Sequence, residues 1–350
     1  MDGPAPEPPA GREQEAAGQD RLAHDGPASE GRDGPGPGPR IAVFVPMMCV
    51  DTYVTVSSLP AAGWKVIGHA LGDLDGGVIG NFAVAAARLG ADVQAIGWSG
   101  TDAASERGVR SLQSEGVDVS QVHRREGHPV FRTIVLVDER GDRSVVLLPP
   151  DDTAPLPQPG LLHDALRGTA PDLCYVGPWD GLAASMGECA RGAGATVAAT
   201  VESDALPAEL DWASLGTVDL LFMSEETATA SGWSPGQPTA APDRWARGPR
   251  VVVITLGAAG ARYVTTADGT WFDAGAPGIE AVDTTGAGDA FAAAFCTFWQ
   301  RGLRGEPLLA RANAAGALAA TAFGPRAGMP SRERVEMLAL KTTRTSEARS

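Results

Sequence analysis

The chain has 350 residues, 43% of them hydrophobic, and a formal net charge of -15. That length supports one large domain or two ordinary ones, and the acidic balance excludes a general nucleic-acid binder, which needs a basic face. No apolar run is long enough to span a membrane, no signal-peptide pattern opens the chain, and Cys49, Cys174, Cys189 and Cys296 lack CxxC spacing, so reduced thiols in a cytoplasmic protein are expected.

Residues 1–40 are rich in Gly, Pro and charge, with Met1 and Leu22 as their only large aliphatic side chains. Such a segment buries too little surface to offset its ordering entropy, so a disordered tail is expected. From Ile41 the pattern changes. "RIAVFV" reads as a buried strand ended by Pro46. "VIGNFAVAAARLGADVQAIGWSG" reads as a helix, a stop at Gly90 and a strand over Val93–Ile96. "FRTIVLVDERGDRSVVLLP" reads as a hairpin turning at Glu139–Asp142. The short apolar runs "DLCYVG", "ATVAATV", "VDLLFMS" and "RVVVITLG" follow, with helical or loop segments between most of them. That alternation predicts an α/β domain around a mostly parallel sheet. Phe291, Ala294, Phe295, Phe298 and Trp299 recur at helical spacing, one face of a helix on a core. "LLARANAAGALAATAFG" is a second Ala-rich helix stopped near Gly324. The domain is expected over 41–335, with 336–350 frayed.

Phosphate chemistry is constrained by the two lysines, Lys65 and Lys341, and by the absence of GxxxxGK[ST]. A Walker-type loop is excluded, so any phosphate must be held by backbone amides, Arg or a metal. The stretch "AVDTTGAGDAFAAAF", Ala281 to Phe295, supplies such amides. The first amides of a helix have no internal partner and sit at the positive end of its dipole. Gly286, Ala287 and Gly288 therefore make an anion hole for a phosphoryl group. Asp289, in the first turn, is placed to accept a hydroxyl proton and is expected to be ionised near neutral pH. A lone GxGD reads more readily as a turn glycine and a helix-stabilising acid, but this string is longer and does not stand alone.

"DTTGAGDAF" resembles the C-terminal signature of the ribokinase-like carbohydrate kinases, the phosphofructokinase-B family. "LDGGVIGNFAVAAARLGADVQAIGWSGTD" is similar to the family's N-terminal Gly-Gly signature, "VVVITLGAAGARYV" to its nucleotide-side strand and turn, and "ANAAGALAATAFGPRAGMP" to its last helix and following loop. The resemblance runs over roughly Ile41 to Pro330. It implies a ribokinase-like three-layer α/β/α domain with a small β-sheet lid from strands within 51–76 and 121–149. In relatives the lid often also joins two copies. It implies ATP and Mg2+, Asp289 as catalytic base, and the Gly286-Ala287-Gly288 anion hole. By position, Asp51, Gly76, Gly77 and Asn81 would bind substrate hydroxyls, and Thr255, Gly257 and Asn313 would line the nucleotide site. Asp283, Thr285 and the loop Ala319–Gly328, including Gly324, match positions that bind an activating K+ in several members. On the residues alone, Asn81 reads equally as an N-cap, Asp51 as a strand-end acid, Thr255 and Gly257 as a strand-to-turn transition, and Asn313 as solvent-facing.

The chain departs from the family at several points. Ser224 and Thr227 stand where Asn-x-x-Glu is usual, with Glu225 and Glu226 out of register, which puts metal handling in question. Val78 replaces the Lys of ribokinases proper, Pro46 and Pro325 replace small residues, and "VESD" lacks the Asn and Arg of a mid-chain signature. Three functions compete: a kinase for a primary hydroxyl of a small sugar; a nucleoside kinase, with Met47, Met48 and Trp64 either stacking on a base or simply packing the lid; and a catalytically weak ligand-binding or regulatory homologue.

Overall fold

The computed structural model describes residues 37–139, 143–150, 159–202, 212, 214–237, 242, 243, 245 and 248–347. The expected disordered tail lies outside the described residues up to position 36. In chain order the elements are β1 (Arg40–Val45), β2 (Cys49–Val56), β3 (Gly68–Asp75), α1 (Val78–Arg88), β4 (Asp92–Ser99), α2 (Ala103–Ser114), β5 (Asp118–Arg124), β6 (Phe131–Val137), β7 (Arg143–Leu148), α3 (Pro159–Thr169), β8 (Leu173–Pro178), α4 (Gly181–Gly192) and β9 (Thr196–Val201). They continue as β10 (Leu220–Ser224), α5 (Glu225–Ala230), β11 (Val251–Thr255), β12 (Ala261–Thr265), β13 (Thr270–Ala274), α6 (Ala287–Gln300), α7 (Gly305–Ala319) and α8 (Arg332–Glu347).

Nine strands form one sheet in the order β13-β12-β11-β10-β9-β8-β1-β4-β5. It is parallel from β11 to β5, and β12 and β13 add an antiparallel edge. Successive strand side chains point to opposite faces, and both faces are apolar. Ile41, Val43 and Val45 enter one core, while Ala42 and Phe44 enter the other. The first core is closed by α1, α2, α6, α7 and α8, the second by α3, α4 and α5. This is the three-layer α/β/α arrangement expected from alternating strands and helices. A separate four-stranded sheet, β3-β2-β6-β7, includes the expected β6–β7 hairpin pairing.

Three local expectations are corrected. The lid window of 121–149 starts too early: β5 pairs in parallel with β4 through the α2 crossover and belongs to the large sheet. The helix after the Gly-Ala-Gly is buried all round from Ala290 to Phe298, because α1 and α7 pack on it as well as the sheet. The expected fraying from 336 gives way to a helix reaching Glu347, in which Val335 and Ala339, one turn apart, join the core beside α7.

Candidate active site

At the carboxyl ends of the parallel strands, where open α/β sheets bind ligands, lies a cavity of ≈ 810 Å3. The small sheet covers it: Thr133, Val135, Val145 and Leu147 face into it. A smaller hollow of ≈ 420 Å3 beside Gln94, Gln121 and His123 contains none of the expected site residues.

Gly286 is the N-cap of α6 in the left-handed conformation (φ 77). A side chain there would be strained and would also collide with the Pro325 carbonyl. Gly286, Gly288 and Asp289 line the cavity; Ala287 does not. The Ala287 amide donates to the Thr284 carbonyl (3.2 Å). Of the expected three-residue hole, the Ala287 amide is thus engaged within the turn, while Gly286 and Gly288 line the cavity at the head of α6.

Asp289 keeps part of its surface open to the cavity while protein encloses it on its other sides. Burial pushes its carboxyl up to about 7; a hydrogen bond from Asn81 opposes the rise, Glu202 adds to it, and Arg143 and Asp51 act more weakly in opposite senses. The expectation of a fully ionised carboxylate at neutral pH is thus corrected to one titrating there, the range suited to a general base.

Asn81 is not the N-cap of α1, which is Gly77, but lies in its first turn. Its Nδ2 donates to Asp289 Oδ2 (2.9 Å) and its Oδ1 accepts from Arg326 Nε (3.0 Å). The same guanidinium donates to Ser111 Oγ (3.1 Å) and the Gly76 carbonyl (3.0 Å). Its burial pulls its pKa down, and Asp75, Asp51 and Glu115 pull it back up. Asp51, buried at the lid, accepts from Thr133 Oγ1 (2.7 Å) and Cys49 Sγ (3.4 Å). A Cβ at Gly76 would strike the Asp51 carboxylate, so a side chain there would displace that carboxylate. Asp51, Gly76, Gly77 and Asn81 all line the cavity, as do Met47 and Met48, whereas Trp64 is 77% exposed and does not.

On the opposite side, Thr255 lines the cavity and Gly257 and Asn313 do not. Asn313 is buried rather than solvent-facing, and donates to the carbonyls of Ala274 (2.9 Å) and Gly275 (3.2 Å), tying α7 to the end of β13. Ser224 caps α5: its Oγ accepts from the Thr227 amide (3.1 Å) and lies 3.0 Å from Thr227 Oγ1. Glu225 and Glu226 are exposed.

The expected cation loop is held by Asp283. Its Oδ1 accepts from the Thr285 amide (2.9 Å) and hydroxyl (2.7 Å), and its Oδ2 from the Gly324 amide (2.9 Å). Ala319, at the end of α7, presents its carbonyl to Gly328, where a Cβ would clash with it. The described residues contain no group of three or more His, Cys, Asp or Glu suited to a metal ion.

Three cavity residues were not singled out by the sequence: Arg326, Arg143 and Glu202. Arg143 reaches from β7 to donate to Thr285 Oγ1 (2.9 Å), next to Gly286. The scarcity of lysine left backbone amides, arginine or a metal to hold phosphate, and did not say which arginine.

A family model for pfkB family carbohydrate kinases matches residues 44–332. The chain belongs to that family. It is 29% identical over 297 residues to the ribokinase of Bacillus subtilis, covering 83% of this chain and 96% of that one. It is 29% identical over 277 residues to the ATP-dependent ribose-1-phosphate kinase of Halopiger xanaduensis, covering 79% and 90%. The structure of Arabidopsis thaliana ribokinase complexed with ribose and ATP matches the fold with a TM-score of 0.68 at 23% identity, over 87% of this chain and 99% of that one. The chain is therefore an ATP-dependent carbohydrate kinase of the ribokinase-like fold. Among the described residues, no helix is long and apolar enough to cross a membrane.

Proposed function

We propose that this kinase transfers the γ-phosphoryl group of ATP to a primary hydroxyl of a small neutral sugar. The observation that carries the reading is Asp289 at the N-terminus of α6, its carboxyl pushed up to about 7 and held by Asn81, in a cavity that joins the lid to the strand ends. The sugar lies under the lid, with its hydroxyls at Asp51 and the Gly76-Gly77 backbone. Asp289 takes the proton of the hydroxymethyl group as that oxygen bonds to the γ-phosphorus. The bond from phosphorus to the bridging oxygen breaks, and ADP leaves. The amides of Gly286 and Gly288 at the head of α6 receive the charge on the transferring group. Oxygen donors at the strand ends suit Mg2+, which, bound with ATP, spreads the phosphate charge.

The neutral charge of the sugar follows from balance. Arg326 is offset by Asp75, Asp51 and Glu115, and Arg143, the cation that the lid brings to the cavity, is directed to Thr285 beside Gly286, where the transferring phosphoryl group would lie. The nucleoside alternative is weaker, since of Met47, Met48 and Trp64 only the methionines face the cavity. A protein that only bound a ligand would have no use for a base titrating near neutrality.

The reading extends to the assembly. Edge strand β7 exposes Val146 and Leu148 as well as Val145 and Leu147, and Leu71 on β3 is 53% exposed. These outer apolar residues suit a second copy of the lid. A cytoplasmic site of action fits ATP as donor. The carbonyls around Ala319, Gly324 and Gly328, with Asp283 and Thr285, would take K+.

ATP consumption with a panel of free pentoses and hexoses, ribose 1-phosphate and nucleosides tests the proposal. Turnover of a free sugar supports it. Turnover confined to nucleosides or to the sugar phosphate, or binding without turnover, overturns it.

A further inference from the structure

Asn81 meets Asp289 through its Nδ2 and Arg326 through its Oδ1. An asparagine amide can be turned end for end, and its partners decide which end faces which. A guanidinium donates and never accepts. With Arg326 on one side, Oδ1 must face the guanidinium, and the NH2 end is left facing Asp289. The reverse placement would set donor against donor at Arg326 and oxygen against oxygen at the carboxylate.

Arg326 is held independently of this contact. Its Nη1 donates to Ser111 on α2, and its Nη2 to the Gly76 carbonyl between β3 and α1. The guanidinium also needs Gly80, inside α1 and just before Asn81. A Cβ at that position would collide with Nη2. Glycine is a poorer helix former than alanine, so its place in α1 goes with the room it leaves for the arginine.

We propose that Arg326 is a positioning residue for the base: it fixes which end of the Asn81 amide faces Asp289, so that one carboxylate oxygen stays bonded and the other is left for the substrate's hydroxyl proton. Arg326 acts through Asn81, and the proposal rests on the reading of Asp289 as proton acceptor. A bond donated to a carboxylate favours its charged form, and Asn81 opposes the rise that burial imposes on Asp289. The ionisable groups around Asp289 are Glu202 after β9, Arg143 on β7, Asp51 on β2 and Tyr175 on β8, whose hydroxyl lies 2.8 Å from Thr200 Oγ1. A substitution at Gly80 leaves all of them in place. Dislodging the guanidinium frees the Asn81 amide, and the carboxyl then titrates higher.

The test is the titration of the Asp289 carboxyl in the substrate-free full chain, read by NMR of carboxyl-labelled aspartate and assigned by the resonance lost in Asp289→Asn. Arg326→Met deletes the guanidinium but also strips a buried network. Gly80→Ala keeps the arginine, displaces it and adds a better helix former. Both should move the midpoint up by about one pH unit. In an Asn81→Ala background, where the relay is already cut, Gly80→Ala should add nothing further. With a sugar that turns over, kcat/KM of Gly80→Ala should be about tenfold below wild type at pH 6 and within about twofold at pH 9. A wild-type midpoint in either variant overturns the proposal. So does a full shift by Gly80→Ala in the Asn81→Ala background, which marks an effect that bypasses Asn81. Unchanged turnover in Asp289→Asn would defeat the base reading, while the titrations still decide whether Arg326 sets Asn81.

Discussion

At the lid end of the cavity, hydrogen bonds join Arg326 to Asn81 and Asn81 to Asp289, pairs separated by 245 and 208 residues of chain. At the other end, Glu202, Ser224 and Thr255 stand side by side because strand register puts them there, and Ser224 bonds only three residues ahead, to Thr227. The lid end is a buried network whose members fix one another. The strand-end side is laid out by the register of the sheet, with Ser224 and Thr255 bonded within their own and the adjacent strand end. Substitutions at the first should therefore disturb fold and chemistry together, and substitutions at the second should disturb ligand binding alone.

The largest effect belongs to the residue where the two ends meet. Asp289→Asn keeps the shape and the hydrogen bond to Asn81 but removes the proton acceptor. Turnover should fall by about 10²–10⁴ while ATP affinity is kept, and unchanged turnover would remove Asp289 from the role of base. Next is Arg326→Met. It leaves Asn81 Oδ1, the Gly76 carbonyl and Ser111 Oγ without their donor, and removes the countercharge of Asp75, Asp51 and Glu115. A loss of about 3 kcal/mol in urea unfolding is expected, with lower kcat besides. Stability matching that of Glu202→Gln would erase the distinction between the two ends. The smallest effect is that of the ion. Because Asp283 already holds the loop through three hydrogen bonds, K+ should raise activity only a few-fold over Na+ at equal ionic strength. Equal rates in KCl, NaCl and tetramethylammonium chloride would leave a plain turn.

The same division explains what could be read from the sequence. The α/β layering was legible because strand and helix periodicities are local. So was the Gly286–Asp289 corner, because a helix N-terminus is a contiguous string. Groups assembled across the chain were not. Nothing near Arg326 announces that its guanidinium meets Asn81, and Glu202 gains its position only once Val201 is paired with Met223. Asn313 carried a family position, yet the local packing of α7 on β13 engages its amide with backbone carbonyls. The end of α8 was missed because its buried contacts, Val335 and Ala339, are few and small.

The central claim is that burial has tuned Asp289 into a base working near neutrality, and the pH dependence of kcat/KM for the sugar tests it most directly. The protonated acid cannot take the hydroxyl proton, so activity should grow as pH rises and that proton leaves. With the carboxyl pushed up to about 7, kcat/KM should climb about tenfold per pH unit below that value and level off above it. A profile already flat from pH 5 upward would show a carboxylate with an ordinary pKa, and would contradict the account.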